Sequence, residues 1–277
     1  MPPLSVPRSR SAFARAVPTD AAAMRVVLTR PAQDADPWAM ALQAHGHELV
    51  ALPLIDILPT SDAGPLREAW QQLDRYAAVM FVSANAVRHF RAAAPDAAWP
   101  PGVRAWVTGP GTAAAVAQDG VPRERIDVPS SDAQQFDSEA LWSLVHRQVG
   151  PGTRVLIVRG ADDQGRLAGR EWMADTLAEA GAQVDAVPAY RRGLPEWDAT
   201  QRARAVAAGR DGSVWLLSSS EAVRNLRCLL PGADWSAARA IATHERIADA
   251  AREAGFGVVR PSRPSVDAVV ATLESIR

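Results

Sequence analysis

Apolar positions along this chain gather in short runs of two to four residues, each followed by a stretch whose apolar residues recur at helical spacing. The runs lie at Val26–Thr29, Leu49–Leu52, Val79–Val82, Ala105–Val107 and Ile126–Val128, and again at Val155–Val158, Val184–Val187, Val214–Leu217, Ala240–Ala242 and Val258–Val259. Uninterrupted apolar runs indicate strands buried on both faces. Strands alternating with helices predict an α/β fold with parallel sheets covered on both sides. Gly46, Gly120, Gly181 and Gly255 end the intervening helices, where a left-handed cap favours glycine.

The pattern is written twice. VMFVSANAVRHF (79–90) is answered by WLLSSSEAVRNL (215–226), RVVLTRP (25–31) by RVLIVRG (154–160), and RAWVTGPGTAAAVAQDGV (104–121) by RAIATHERIADAAREAGF (239–256). Arg30 thereby matches Arg159, and Ser83 matches Ser219. A unit this long implies two similar domains, not a solenoid. Two stretches, Ala51–Thr60 and Val184–Gly193, are extended and contain proline, which points to a sheet edge or a linker, so a paired hinge is expected there. The Gly150-Pro151-Gly152 turn reads as a boundary between units.

Charge alters this picture little: 30 Lys and Arg against 31 Asp and Glu leave no basic footprint for nucleic acid. No apolar run reaches the roughly 20 residues of a membrane helix. The single cysteine, Cys228, rules out an internal disulfide, fits a reducing compartment such as the cytoplasm, and sits in a leucine-rich helix that reads as burying it. Residues 1–23 are polar, proline-rich and without the apolar centre of a signal peptide, so they read as a disordered extension, with the folded part beginning at Met24.

Candidate chemistry concentrates where strands meet helices. A helix start presents unpaired N–H groups that attract anions, and two such corners, at Ser83 and Ser219, suit one large anionic ligand. Either serine caps its helix or touches a ligand, and the sequence leaves both open. Arg30 and Arg159 stand at strand ends, where open α/β sheets bind ligands. Gly109-Pro110-Gly111-Thr112-Ala113-Ala114 has the spacing of a dinucleotide fingerprint, with Asp127 downstream, but it opens a late unit and its counterpart from Thr243 to Ala248 has no glycine. The five histidines, His45, His47, His89, His146 and His244, offer no metal spacing beyond one His-x-His, and no G-x-S-x-G elbow is present.

Taken in order, RVVLTRP, FVSANAVRHF, VTGPGTAAAV, RVLIVRG with AYRR, LSSSEAVRNL and ATHERIADAA resemble the uroporphyrinogen-III synthase family across Met24 to Arg277. The resemblance implies two flavodoxin-like domains joined by a two-stranded antiparallel linker. One domain would comprise residues 24–53 and 188–277 and the other residues 54–187, which replaces the boundary at Gly150. It implies cyclisation of hydroxymethylbilane to uroporphyrinogen III by a monomer, with no metal or organic cofactor. Carried over residue by residue, Tyr190 matches the family's active-site tyrosine, a proton donor to the leaving hydroxyl. Ser83, Asn85, Thr112 and Ser219 match positions near the ligand, and Arg30 and Arg159 are expected to hold substrate carboxylates. The chain departs from the family at Glu221, where a small hydroxyl residue is common, and at THERIA, which replaces a glycine-threonine turn. Glu221 is therefore expected to point away from an acidic ligand, and His244 to supply a charge or a hydrogen bond. The rival readings are a non-catalytic module of the same architecture that binds a tetrapyrrole or polyanion, and a nucleotide-dependent enzyme built on Gly109 to Ala114.

Overall fold

The computed structural model describes residues 23–130, 133, 135–167 and 171–276. Nearly all of the 1–23 extension lies outside them. All ten apolar runs form strands: β1 (Arg25–Leu28), β2 (Glu48–Ala51), β4 (Ala78–Phe81), β5 (Arg104–Val107), β6 (Ile126–Asp127), β7 (Arg154–Ala161), β8 (Gln183–Gly193), β9 (Val214–Leu217), β10 (Arg239–Ala242) and β11 (Val258–Pro261). The remaining strand, β3 (Asp56–Pro59), comes from the first proline-containing stretch. Gly46, Gly120, Gly181 and Gly255 all take positive φ between 81° and 95°, so the chain leaves each helix through the left-handed region, as read from the sequence.

Two sheets result, ordered β11-β10-β9-β1-β2 and β3-β8-β7-β4-β5-β6. Apart from β3, every pairing is parallel. Counted along the chain, the first sheet has the flavodoxin-like order 2-1-3-4-5; the second has the same order once β7 and β8 take the places of β1 and β2, with β3 added at its edge, so neither is made from one half of the duplication. β1 and β2 complete the sheet of β9, β10 and β11, while β7 and β8 complete that of β4, β5 and β6. The chain begins in one lobe, builds the other and returns.

Alternate residues of each strand enter different cores. Val26, Leu28, Val214, Leu216 and Ile241 pack with Leu42 of α1 (Ala32–Ala44) and Val269 and Leu273 of α10 (Val266–Ser275). Ala78, Met80, Trp106, Val155 and Ile157 pack with Leu141 of α5 (Ser138–Val145) and Leu177 of α6 (Trp172–Glu179). The opposite faces belong to one continuous cluster that runs from Val27 and Trp215 through Leu52, Leu54 and Ile55 to Val79 and Val158. The lobes therefore share apolar packing around the crossing chain.

That crossing is the expected antiparallel ladder, β3 against β8, with Asp56 opposite Gly193 and Pro59 opposite Tyr190. Two expectations about boundaries are corrected. Gly150 to Gly152 lies in the connection from β6 through α5 to β7, strands of the same sheet. β8 runs through Pro188 to Gly193 without leaving its sheet, so the chain turns back later than Pro188. The strand tolerates Pro188 because β3 pairs only with residues 190 to 193, and a register shift between Arg159 and Gly160 absorbs one residue there. Cys228 is also corrected: it is exposed. Ala222, Val223, Leu226 and Leu229 form the buried face of α8 (Ser220–Leu229), and helical spacing puts position 228 outside it.

Candidate active site

In a parallel sheet the ligand crevice lies beyond the carboxyl ends of the strands, at the point where the strand order reverses. Here both reversal points, β1 beside β9 and β7 beside β4, face a single cleft of about 1060 Å³ between the lobes. Helix starts from both lobes open onto it. One lobe supplies α3 (Ala84–Ala92) and α4 (Pro110–Gln118) and the other α1, α8 and α9 (Glu245–Glu253).

The corner serines do two things at once. Ser83 Oγ accepts the N–H of Ala86 at 3.2 Å and Ser219 Oγ that of Glu221 at 3.2 Å, so each is the cap of its helix. Both also line the cleft, so they face one common cavity from opposite lobes. At α4 the cap is Gly109, with no side-chain hydrogen bond, and Pro110 follows it. The amides of Gly111 and Thr112 are left at the cleft wall, and nothing lies within 4 Å of where a Cβ on Gly111 would be. Thr112 is buried and also lines the cleft.

Arg30 leans over the Trp38 ring, 4.3 Å from its centre, and lines the cleft with no hydrogen-bond partner at Nε. Burial pushes its guanidinium down to about 10, while nearby Asp34 acts in the opposite direction. It remains a cation at neutral pH. Arg159 does not share this position. It is 5 % exposed, ion-paired with Glu171 at 2.5 Å and absent from the cleft wall, because β7 runs on through Arg159 to Ala161 whereas β1 ends at Leu28, so Arg159 lies inside its strand and Arg30 beyond the end of its own.

Tyr190 is 5 % exposed and stands behind the wall instead of forming it. Its hydroxyl is 3.1 Å from Ser83 Oγ and its ring lies on Gly160, where a Cβ would fall 2.7 Å from two ring carbons. His89 packs beside it, ring centres 5.7 Å apart. The phenol thus reaches the cleft through Ser83.

His244 caps α9: Nδ1 accepts the N–H of Arg246 at 3.1 Å, and Nε2 lies 3.1 Å from Gln135 Oε1 of the other lobe. A ring nitrogen that accepts an N–H carries no proton, so Nε2 is the donor to Gln135. Of the two roles expected for His244, hydrogen bonding is the one this geometry displays. Glu221 points away, as expected, and pairs with Arg192 of β8 at 2.8 Å.

Some cleft residues were not singled out in the sequence. Asp34 takes Asn85 Nδ2 at 2.7 Å and Arg88 Nη1 at 2.9 Å, across the lobes. Arg88 lies in the repeated Ala-Val-Arg segment, a signal that was available. Arg246, Arg263 and Gln135 also line the cleft but come from positions with no pattern.

Fold and cleft together define a two-lobed α/β protein whose cationic, hydroxyl-lined crevice is assembled from helix starts of both lobes. Residues 36–271 match the family model described as Uroporphyrinogen-III synthase HemD. The chain is 32% identical over 222 residues to the uroporphyrinogen-III synthase of Synechococcus elongatus, covering 76% of this chain and 78% of that protein. It is 27% identical over 241 residues to that of Escherichia coli strain K12, covering 84% and 92%. Among solved structures it is similar to uroporphyrinogen-III synthetase from Helicobacter pylori, with TM-score 0.56 and 14% identity over 92% of this chain and all of that one, a likeness of fold alone. This chain belongs to the uroporphyrinogen-III synthase family.

Proposed function

We propose that this protein closes hydroxymethylbilane into uroporphyrinogen III, inverting the last pyrrole ring and releasing water, as a lyase that acts alone in the cytoplasm. The observation that carries this is the convergence of the Ser83 and Ser219 corners on one cleft large enough for a tetrapyrrole. A linear substrate with eight carboxylates is held there by helix-start amides and by Arg30, Arg88, Arg246 and Arg263, which folds its two ends together. Holding reacting ends together removes much of the entropic barrier to closure.

The hydroxymethyl C–O bond breaks as the pyrrole nitrogen gives up its proton to solvent and forms an azafulvene, and hydroxide departs as water with a proton from a donor on the protein, which solvent later restores. Ser83 is the group on the cleft wall that gives that proton, and Tyr190 behind it gives its own to Ser83. The azafulvene then forms a spiro intermediate that reopens and closes with the last ring reversed. A cleft complete within one chain suits a monomer, and a single cysteine suits a reducing compartment. Purified protein supplied with enzymatically generated hydroxymethylbilane is expected to yield the type III isomer. Recovery of only the spontaneous type I isomer overturns the proposal, and binding of a porphyrin without any change in isomer ratio favours the non-catalytic reading.

A further inference from the structure

Asp34 is an acid on the wall of a cleft that, on the reading above, receives a polyacid. It sits in the first turn of α1 in one lobe, and both its oxygens are taken by α3 of the other. Oδ2 accepts Asn85 Nδ2 at 2.7 Å and Oδ1 accepts Arg88 Nη1 at 2.9 Å, while Arg88 Nη1 also donates to Asn85 Oδ1 at 2.6 Å. Asn85 is 4 % exposed, so its amide is fixed in place. This is a two-point carboxylate receptor, with a charge-assisted bond to one oxygen and a neutral amide on the other.

We infer that Asn85 and Arg88 form a seat for a ligand carboxylate, held in the free protein by the chain's own Asp34 and exchanged when the ligand enters. The exchange is chemically like for like: one carboxylate leaves two donors and another takes them. The ion pair is open to solvent, with the Asp34 and Arg88 side chains 24% and 45% exposed, so the occupant is displaceable. Arg30, just before α1 on the same cleft wall, has no partner at Nε and can take a second ligand carboxylate. Because Asp34 bridges the lobes, its release also loosens a polar tie between them, where His244 to Gln135 and Arg192 to Glu221 are further ties. The repeat shows how specific the arrangement is. Glu221, the counterpart of Asn85, is itself an acid and is bound to Arg192, so the second lobe offers no equivalent seat.

This inference rests on the proposed substrate class, and its test is kept separate from turnover. Binding of uroporphyrin III, an octacarboxylate, is measured by fluorescence for the full chain and for Asp34→Asn, Arg88→Gln and the double variant, with Glu245→Gln as a control that removes another cleft charge. Asp34→Asn is expected to tighten binding about five-fold, the scale of one exposed ion pair. That gain should exceed the gain from Glu245→Gln and vanish when Arg88 is Gln. Equal gains from both acids, or a gain that survives Arg88→Gln, overturn the seat, as does weaker binding by Asp34→Asn. The isomer assay on the unaltered chain decides the reaction independently of this cycle.

Discussion

Adding one methyl group at Gly160 separates Tyr190 from Ser83 without touching the cleft wall. A Cβ at this position falls 2.7 Å from two carbons of the Tyr190 ring and 3.0 Å from its oxygen. Carbon atoms in ordinary contact stand about 3.5–4.0 Å apart, so the ring must withdraw by about 1 Å. The hydroxyl then moves from 3.1 Å to about 4 Å from Ser83 Oγ, beyond hydrogen bonding. Overpacking of this kind costs about 1–3 kcal/mol, which leaves a folded protein. If the proton reaches the substrate from Tyr190 through Ser83, Gly160→Ala lowers turnover about 10–100-fold, the lower part of the range for general acid catalysis, with KM little changed. Tyr190→Phe gives the same loss, and the two changes combined give no more than either alone. Turnover of type III isomer is the assay, with urea unfolding as the check on stability. Full turnover in Gly160→Ala with the ring shown to be displaced refutes the relay, and so do two losses that multiply.

Other expected outcomes rest on separate contacts. Arg30→Gln raises KM about ten-fold with kcat nearly kept, because a charge-assisted bond to a carboxylate is lost equally from bound substrate and transition state; an unchanged KM removes Arg30 from the site. Glu221→Gln strands Arg192, whose Nε already lacks a partner, and lowers stability by about 1 kcal/mol, discounted because both side chains are about a quarter exposed; a double-mutant cycle with Arg192→Gln measures it. The His89 imidazole is held below its ordinary 6.5, first by burial and then by Arg88. The unfolded chain therefore binds its proton at higher pH than the folded one, and stability contributed by neutral His89 is lost as pH falls through 6.5. Urea midpoints at neutral and mildly acidic pH measure that slope, and His89→Gln should reduce it.

Much of the fold was legible because it depends on burial. Strands covered on both faces read as unbroken apolar runs, and Gly46, Gly120, Gly181 and Gly255, four of the eight glycines at positive φ, mark helix ends that no other residue occupies easily. β3 was harder to read, since Asp56 and Pro59 fit a linker as well as a strand. The resemblance placed the domain cut inside β8, because the pairing of residues 190–193 with β3 depends on a partner more than 130 positions away. The candidate site was legible where strands run into helices: Ser83, Ser219, Thr112, Arg30 and His244 all reach the cleft. Arg159 misled because β7 extends past it to Ala161 while β1 stops at Leu28, so positions equivalent in sequence fall inside one strand and beyond the other. Asp34 and Gln135 could not be read, since their contacts exist only once the lobes meet.

The two lobes begin alike and end unlike, and the reaction needs that difference. A ring closure joins two chemically distinct ends, one bearing a departing hydroxyl and one an unsubstituted pyrrole carbon, so a cleft with two equal halves would not tell them apart. The scaffold supplies equal corners, a strand feeding a capped helix, from Ser83 and from Ser219. The side chains then break the symmetry: behind Ser83 stands Tyr190, with Asn85 and Arg88 beside it, whereas two residues beyond Ser219 stands Glu221, turned away and neutralised by Arg192. On the proposed mechanism the proton source and the carboxylate seat lie on one lobe, which would fix there the end of the chain that loses its hydroxyl. Asn85→Glu should weaken binding of the octacarboxylate, because it places an acid against Asp34 and removes the amide of the seat, and adding Glu221→Asn should not restore it. Recovery of binding in the double variant would mean that the corners are interchangeable and that the asymmetry resides elsewhere.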